Sequence, residues 1–180
     1  PMSKIKFDFN SFKPQLEIAV TVLQNKDCSK AMRTRMKWSE LCGMLHEPGI
    51  IANGKLNAQM IKLATFGEKR KPNEKQPDPD KWSLKHDGNV LKITGLEGDY
   101  DAGVMPMEEA VKLLEKAGIR AVLHSSWGDG LIEPPKYLGG PRWRVIAPFS
   151  KELPPEQRSQ MVARINGALG GVLADESFTL

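Results

Sequence analysis

The stretch ITGLEGDYDAG, residues 93–103, sets two aspartates one residue apart at the end of a strand-like run. Strand side chains alternate between faces, so Asp99 and Asp101, on either side of Tyr100, point the same way. Like charges that close repel and raise each other's proton affinity unless a cation sits between them. A divalent metal ion, a pair of arginines or solvent would each settle the conflict.

Outward from this point the pattern is regular. NVLKITGLEGDYD predicts a strand, with Gly95 and Gly98 as bulge or bend points. PMEEAVKLLEKAG predicts a helix, with Pro106 near its start, Glu108 and Glu109 in the first turn, Lys116 in the last and Gly118 closing it. IRAVLHSS is an apolar second strand. Strand, helix and strand in that order predict a βαβ unit, its two strands parallel and its crossover right-handed. RWRVIAPFS gives a third strand, and PPEQRSQMVARINGALGG a second helix with Met161, Ile165 and Leu169 inward. GVLADESFTL begins a further strand or turn.

The earlier half is less regular. Residues 5–24 alternate enough to suggest a hairpin or sheet edge, and WSELCGMLHEPG places Trp38, Leu41, Cys42 and Leu45 on one helical stripe ending at Pro48-Gly49. GEKRKPNEKQPDPDK, residues 67–81, holds three prolines and almost nothing apolar, and reads as a surface loop or internal linker. Basic residues gather in KAMRTRMK and EKRKPNEK, where solvated loop charge is the plainer reading.

Composition bounds the whole. With 180 residues, 40% of them hydrophobic and 27% charged, the chain is sized for one ordinary globular domain. The net charge of +4 and an isoelectric point of about 9.1 suit an acidic partner such as nucleic acid without requiring one. No apolar run approaches the roughly 20 residues of a membrane span, and PMSKIKFDFN lacks the apolar centre of a signal peptide. Cys28 and Cys42 are too few for a disulfide framework, which fits a reducing cytoplasm.

Three polar clusters recur at strand ends: Asp99 with Asp101, His124 to Ser126, and Arg142 with Arg144. In open α/β sheets, ligands sit in the crevice at the strands' carboxyl ends. Carboxylates facing guanidiniums suit a metal–phosphate site, in which hard oxygens hold Mg²⁺ or Mn²⁺ and arginines neutralise phosphate. A structural Asp–Arg network across neighbouring strands fits the spacing equally well.

The order GLEGDYDAG, helix, strand ending in Ser, PRWRVIAPFS, helix, GGVLADESF resembles the archaeo-eukaryotic primase superfamily, in particular the primase-polymerase domains of phage and plasmid replication proteins. The resemblance covers residues 85–180 well and the first half only loosely. It implies an α+β fold, a small mixed β-sheet with packed helices related to the RNA-recognition sheet. The whole chain, 1–180, is then one primase-polymerase-like domain, with 1–85 an N-terminal accessory part and 86–180 the catalytic core, expected as an N-terminal module of a longer protein.

The implied activity is that of a DNA primase/polymerase, a metal-dependent nucleotidyltransferase. Asp99, Asp101 and Asp175 match the family's metal ligands, with Mg²⁺ or Mn²⁺ as cofactor, and Glu176 adjoins the third position. Arg142 and Arg144 match the arginine-bearing strand that contacts nucleotide phosphate or template. The second motif, Ser-x-His, departs here: its histidine position falls near Gly128 or Asp129, which leaves His124, Ser126 and Lys136 as the remaining nucleotide-binding candidates. Implied partners are a single-stranded DNA template, nucleoside triphosphates and a helicase, on the same chain or separate. The alternative is a catalytically impaired nucleic-acid-binding module of the same fold, and a weaker third is a phosphate-binding regulatory domain.

Other patterns carry less. Trp127 and Trp143 offer rings for base stacking, although a tryptophan between strand arginines reads more readily as core. Cys28, Cys42 and His46 give only three zinc ligands, with Cys42 on the apolar stripe. DYDAG lacks the ligand schedule of a calcium loop. His86 in KHDG belongs to a turn, and adjacent His124 and Ser125 point to opposite strand faces, unlike a nucleophile–base pair.

Overall fold

An eleven-residue strand, β5 (Val90–Tyr100), runs through the centre of the molecule and is buried on both faces from Ile93 to Gly98. The computed structural model describes residues 16–24, 27–46, 59–73, 75–126, 129–133 and 137–179. Its strands are β1 (Glu17–Leu23), β2 (Ala31–Lys37), β3 (Met60–Lys62), β4 (Ala64–Phe66), β5, β6 (Val122–Ser125), β7 (Ile132–Glu133), β8 (Tyr137–Leu138) and β9 (Trp143–Leu153). The α-helices among the described residues are α1 (Trp38–His46), α2 (Met107–Lys116) and α3 (Arg158–Ala168).

The chain is of the α+β class. One sheet has the order β2-β1-β3, a second the order β4-β5-β9-β6, and β7 and β8 form a small two-stranded arm. Every described neighbour pair is antiparallel, where a mixed sheet was expected. The strands flanking α2 do run in the same direction, since β5 and β6 are both antiparallel to β9. They are not neighbours, however: β9 lies between them, giving a split βαβ unit. β9 is itself eleven residues long, so it can pair with β5 along one edge and β6 along the other.

Both faces of the larger sheet are covered along its middle. On one, Val145 and Ala147 of β9 with Leu96 and Tyr100 of β5 pack against Ala110 and Leu114 of α2 and Val162 and Ile165 of α3. On the other, Ile146 packs with Ile18, Val20 and Val22 of β1 and with Trp38, Leu41 and Cys42 of α1. Two buried threonines tie the first sheet to the second: Thr21 donates to the Ala64 carbonyl at 2.6 Å and Thr94 to that of Ala19 at 2.7 Å.

Two expectations for the earlier half change. The segment AMRTRMK is strand β2, not loop; Arg33 donates to the Phe66 and Gly67 carbonyls, and Arg35 pairs with Glu17 and Glu152. Alternate residues of a strand present the same face, so two arginines spaced by two can reach a neighbouring strand end. β1 is central in its sheet and not an edge, while residues 5–15 and the Pro48-Gly49 stop lie outside the described residues.

Gly95 is a bulge as expected. The amides of Thr94 and Gly95 both donate to the one Leu63 carbonyl, and the pairing of β5 with β9 shifts register here. A Cβ at Gly95 would collide with the Leu63 side chain and the Ala147 carbonyl oxygen, whereas one at Gly43 in α1 meets nothing within 4 Å. Gly95→Ala is therefore expected to destabilise the fold by about 2 kcal/mol or more, because backbone has to move. Gly43→Ala is expected to stabilise it by about 0.5–1 kcal/mol through helix propensity. Urea unfolding of the two variants should move the midpoint in opposite directions.

Candidate functional site

The three polar clusters meet at one end of the larger sheet. Because β9 is antiparallel to its neighbours, its first residues lie beside the last residues of β5 and β6. Asp99, Arg144 and His124 pair directly across three adjacent strands and so share a face. The preceding row on that face is Glu97, Ile146 and Val122, which is covered by the β1–α1 layer. The Asp99 row lies one step further toward the sheet's end.

Asp99 meets Arg144 as a two-pronged pair, Nε to Oδ1 at 2.6 Å and Nη2 to Oδ2 at 3.0 Å. Asp101, just past the strand, pairs with Arg142 Nη1 at 3.2 Å. Burial would lower the basicity of Arg144, but the hydrogen bonds and charge of Asp99 more than offset it, and its guanidinium is held charged. Arginine thus neutralises the paired carboxylates. Both side chains of the Asp99–Arg144 pair are about a third exposed (33% and 32%), and ion pairs of that kind are worth about 1 kcal/mol. Exposure lets water screen the charges, while the two-pronged geometry is the strong kind.

His124 takes its place in the row as a neutral base. Burial first, then the neighbouring Arg144, lowers its pKa below the ordinary 6.5, against the opposing pull of the Ser125 carbonyl and Asp99. Its Nδ1–H donates to the Ser125 carbonyl at 2.9 Å, which leaves Nε2 as an acceptor at neutral pH. Ser126 sits at the loop mouth: its amide donates to the Arg142 carbonyl and its carbonyl accepts from Asp129. Asp129 in turn accepts from the Arg142 amide at 2.9 Å.

The third acidic position arrives from the far end of the chain. After α3, Gly170 and Gly171 both take φ of +83°, which only glycine adopts freely, and turn the chain back onto β5. Ala174 N–H donates to the Asp99 carbonyl at 2.8 Å, and the Asp99 amide donates to Ser177 Oγ at 2.9 Å. Asp175 opens the helical turn Asp175–Phe178 between these contacts, its side chain exposed.

These carboxylates are hard oxygen donors of the type Mg²⁺ and Mn²⁺ take. Their arrangement is a different matter. Among the described residues no group of three His, Cys, Asp or Glu stands close enough to hold a metal ion. Lys136, Trp127 and Gly128 lie outside the described residues. Trp143 is core: 1% exposed, it stacks on Tyr100 at 4.6 Å and donates to the Met105 carbonyl, so it is closed to bases. Cys28 and Cys42 are buried in separate clusters, and burial pushes the Cys42 thiol up to about 11.

Sequence reading missed what supports this edge. Glu97, 5% exposed, accepts from Lys62 Nζ at 3.2 Å, from Arg158 Nη2 at 3.4 Å and from the Leu63 amide. Arg158, 3% exposed, also donates to the carbonyls of Glu97, Ser177 and Thr179. The available signal was the same spacing of two: Glu97 and Asp99 alternate along β5, with Asp101 just past its end.

The chain matches no family model, and neither a curated protein nor a solved structure matches it. No helix among the described residues is long and apolar enough to cross a membrane.

Burial would raise the Glu97 pKa, but Lys62, Arg158 and the Leu63 amide together bring it below the ordinary 4.5. A carboxyl with a native pKa below its unfolded value contributes stability that is complete above the ordinary range and is lost as pH falls through the native value. Glu97→Gln leaves two buried cations without their anion and is expected to cost about 3–5 kcal/mol at pH 7. Urea unfolding measures it, and the gap between native and variant should narrow as the pH is taken below 4.5.

Proposed function

We propose that this domain is a metal-dependent nucleotidyltransferase of the primase-polymerase kind, which copies a single-stranded DNA template in phage or plasmid replication. The observation that carries this reading is the docking of residues 174–177 on the backbone of Asp99, which brings the segment bearing Asp175 to the strand end that carries Asp99 and Asp101. That contact supports the reading by bringing the Asp175 segment, remote in sequence, to the strand end of Asp99, although among the described residues the three carboxylates do not stand as one metal-holding group. The split βαβ core is compatible with the RNA-recognition-like sheet that the resemblance implies.

In this reading Asp99, Asp101 and Asp175 would hold Mg²⁺ or Mn²⁺ once brought closer than they stand, and the ion would supply charge neutralisation at the transferred phosphoryl group and activation of the attacking hydroxyl. The protein's own contribution lies in the arginines. Released from their pairs with the carboxylates, Arg144 and Arg142 turn to nucleotide phosphate, for which the guanidinium fork is well shaped. Neutral His124 offers a hydrogen-bonding nitrogen there, not a second positive charge.

A second reading, a nucleic-acid-binding module with impaired catalysis, draws on those same arginine pairs, which occupy the carboxylates that a metal would need. Primer extension with Mg²⁺ or Mn²⁺ separates the two. Incorporation by the native chain that falls at least about 100-fold in Asp99→Ala and Asp101→Ala is expected for the enzyme, since even outer-shell changes at metal sites cost 10–100-fold. Incorporation that survives both changes overturns the metal scheme. A native chain that binds single-stranded DNA but incorporates nothing identifies the binding module.

A further inference from the structure

The lysine-rich segment 67–81 reads from sequence as loop or linker, yet its described residues, with those that follow to Asn89, form a fixed strap. Arg70 Nη1 donates to the carbonyls of Ser29, Asp80 and Trp82, each at 3.0 Å. Asn89 donates to the Gly67 and Leu84 carbonyls and accepts from the Lys69 amide, while Trp82 Nε1 donates to Gln76. A bridge joins Lys71 to Ser83 across the strap.

This strap borders two adjoining clefts of about 530 and 610 Å³, which share Lys71 and Pro72. Lys69, Arg70 and Lys85 line the first, Lys75 and Lys81 the second; the carboxylates there are Asp87 and Asp27. With Lys71, six cations face two anions. Lys81 is paired with Asp78 and Arg70 is occupied in holding the strap, but Lys69, Lys71 and Lys75 are exposed. Lys85 is half-buried, and its ammonium has no hydrogen-bond or ion-pair partner among the described residues. Burial first, then nearby Lys62, lowers its pKa. Cys28 and Glu97 pull the other way without offsetting burial, so an anion in the cleft would favour the charged ammonium further.

We propose that these clefts bind the phosphate backbone of a single DNA strand. Small-molecule sites are mainly apolar, whereas Pro72 is the one apolar side chain among the described lining residues. Duplex readers insert a helix or a β-ribbon into a groove; here the lining comes from the strap with Asp27 and Thr179, and none of it from an α-helix. A basic groove with a ring in it is the usual form of a single-strand track, and His86 supplies the ring. The track also leads to the acidic edge. Lys85 lies within electrostatic reach of Arg144, and Thr179, which lines the first cleft, follows the turn docked on Asp99.

The inference rests on the reading that this domain works on nucleic acid, but its test needs neither nucleotide nor metal. Fluorescence anisotropy with an oligo-dT strand, across a salt series, compares the native chain with Lys69→Ala/Lys71→Ala/Lys75→Ala and with the corresponding triple arginine variant. The alanine triple should bind roughly tenfold more weakly at 0.1 M salt, with a log–log salt slope shallower by about 2, for three contacts at about 0.7 each. The arginine triple should bind as the native chain does. An alanine triple with unchanged affinity and slope, or a native chain that binds a duplex of equal length as tightly as dT, overturns the proposal. A chain inert in primer extension whose dT binding still depends on these lysines leaves the clefts assigned and removes only the polymerase reading.

Discussion

A carboxylate enclosed by two cations holds this architecture together. Glu97 sits where three parts of the chain converge: β3 through Lys62, the bulge through the Leu63 amide, and the start of α3 through Arg158. Buried charge of this kind is costly to remove from water and returns that cost only when every partner is present. Arg158 goes on to the carbonyls of Ser177 and Thr179, so the same knot positions the segment that reaches Asp99. The candidate site is built outward from it along a single strand.

The second organising feature is the insertion of β9 between β5 and β6. In a simple βαβ unit the third strand would lie at an outer position and its arginines would sit away from Asp99. As an antiparallel centre strand, β9 starts where its two neighbours end, and one register row joins carboxylate, guanidinium and imidazole. Charge compensation at the edge is thus a product of topology.

Much of the second half was legible because its elements are short-range patterns. The apolar, glycine-punctuated run NVLKITGLEGDY, the acidic and basic ends of the helix after Pro106, and the apolar run in RWRVIAPF each declare their element locally. Strand adjacency was not legible, since pairing of β9 with both β5 and β6 is decided by covering two faces at once. β2 was misread for a related reason: its arginines look solvated until the partners Glu17, Glu152 and the Phe66 carbonyl are placed beside them. At the site, arginine was among the counterions that the two aspartates' spacing left open, and it is the one that pairs with both. Lys62, Glu97 and Arg158 were invisible as a set, because isolated charged residues in a sequence resemble surface.

Behind the polar row lies the stack of Tyr100 on Trp143, and each ring belongs to a residue next to the charged ones. The Tyr100 hydroxyl accepts from the Val104 and Met105 amides and the indole donates to the Met105 carbonyl, so both rings are clamped from the far side. Exchange of arginine partners in front of such a clamp alters the electric field across a shielded indole. Trp143, one of four tryptophans in the chain, is thus a rigid indole held directly behind the acidic edge.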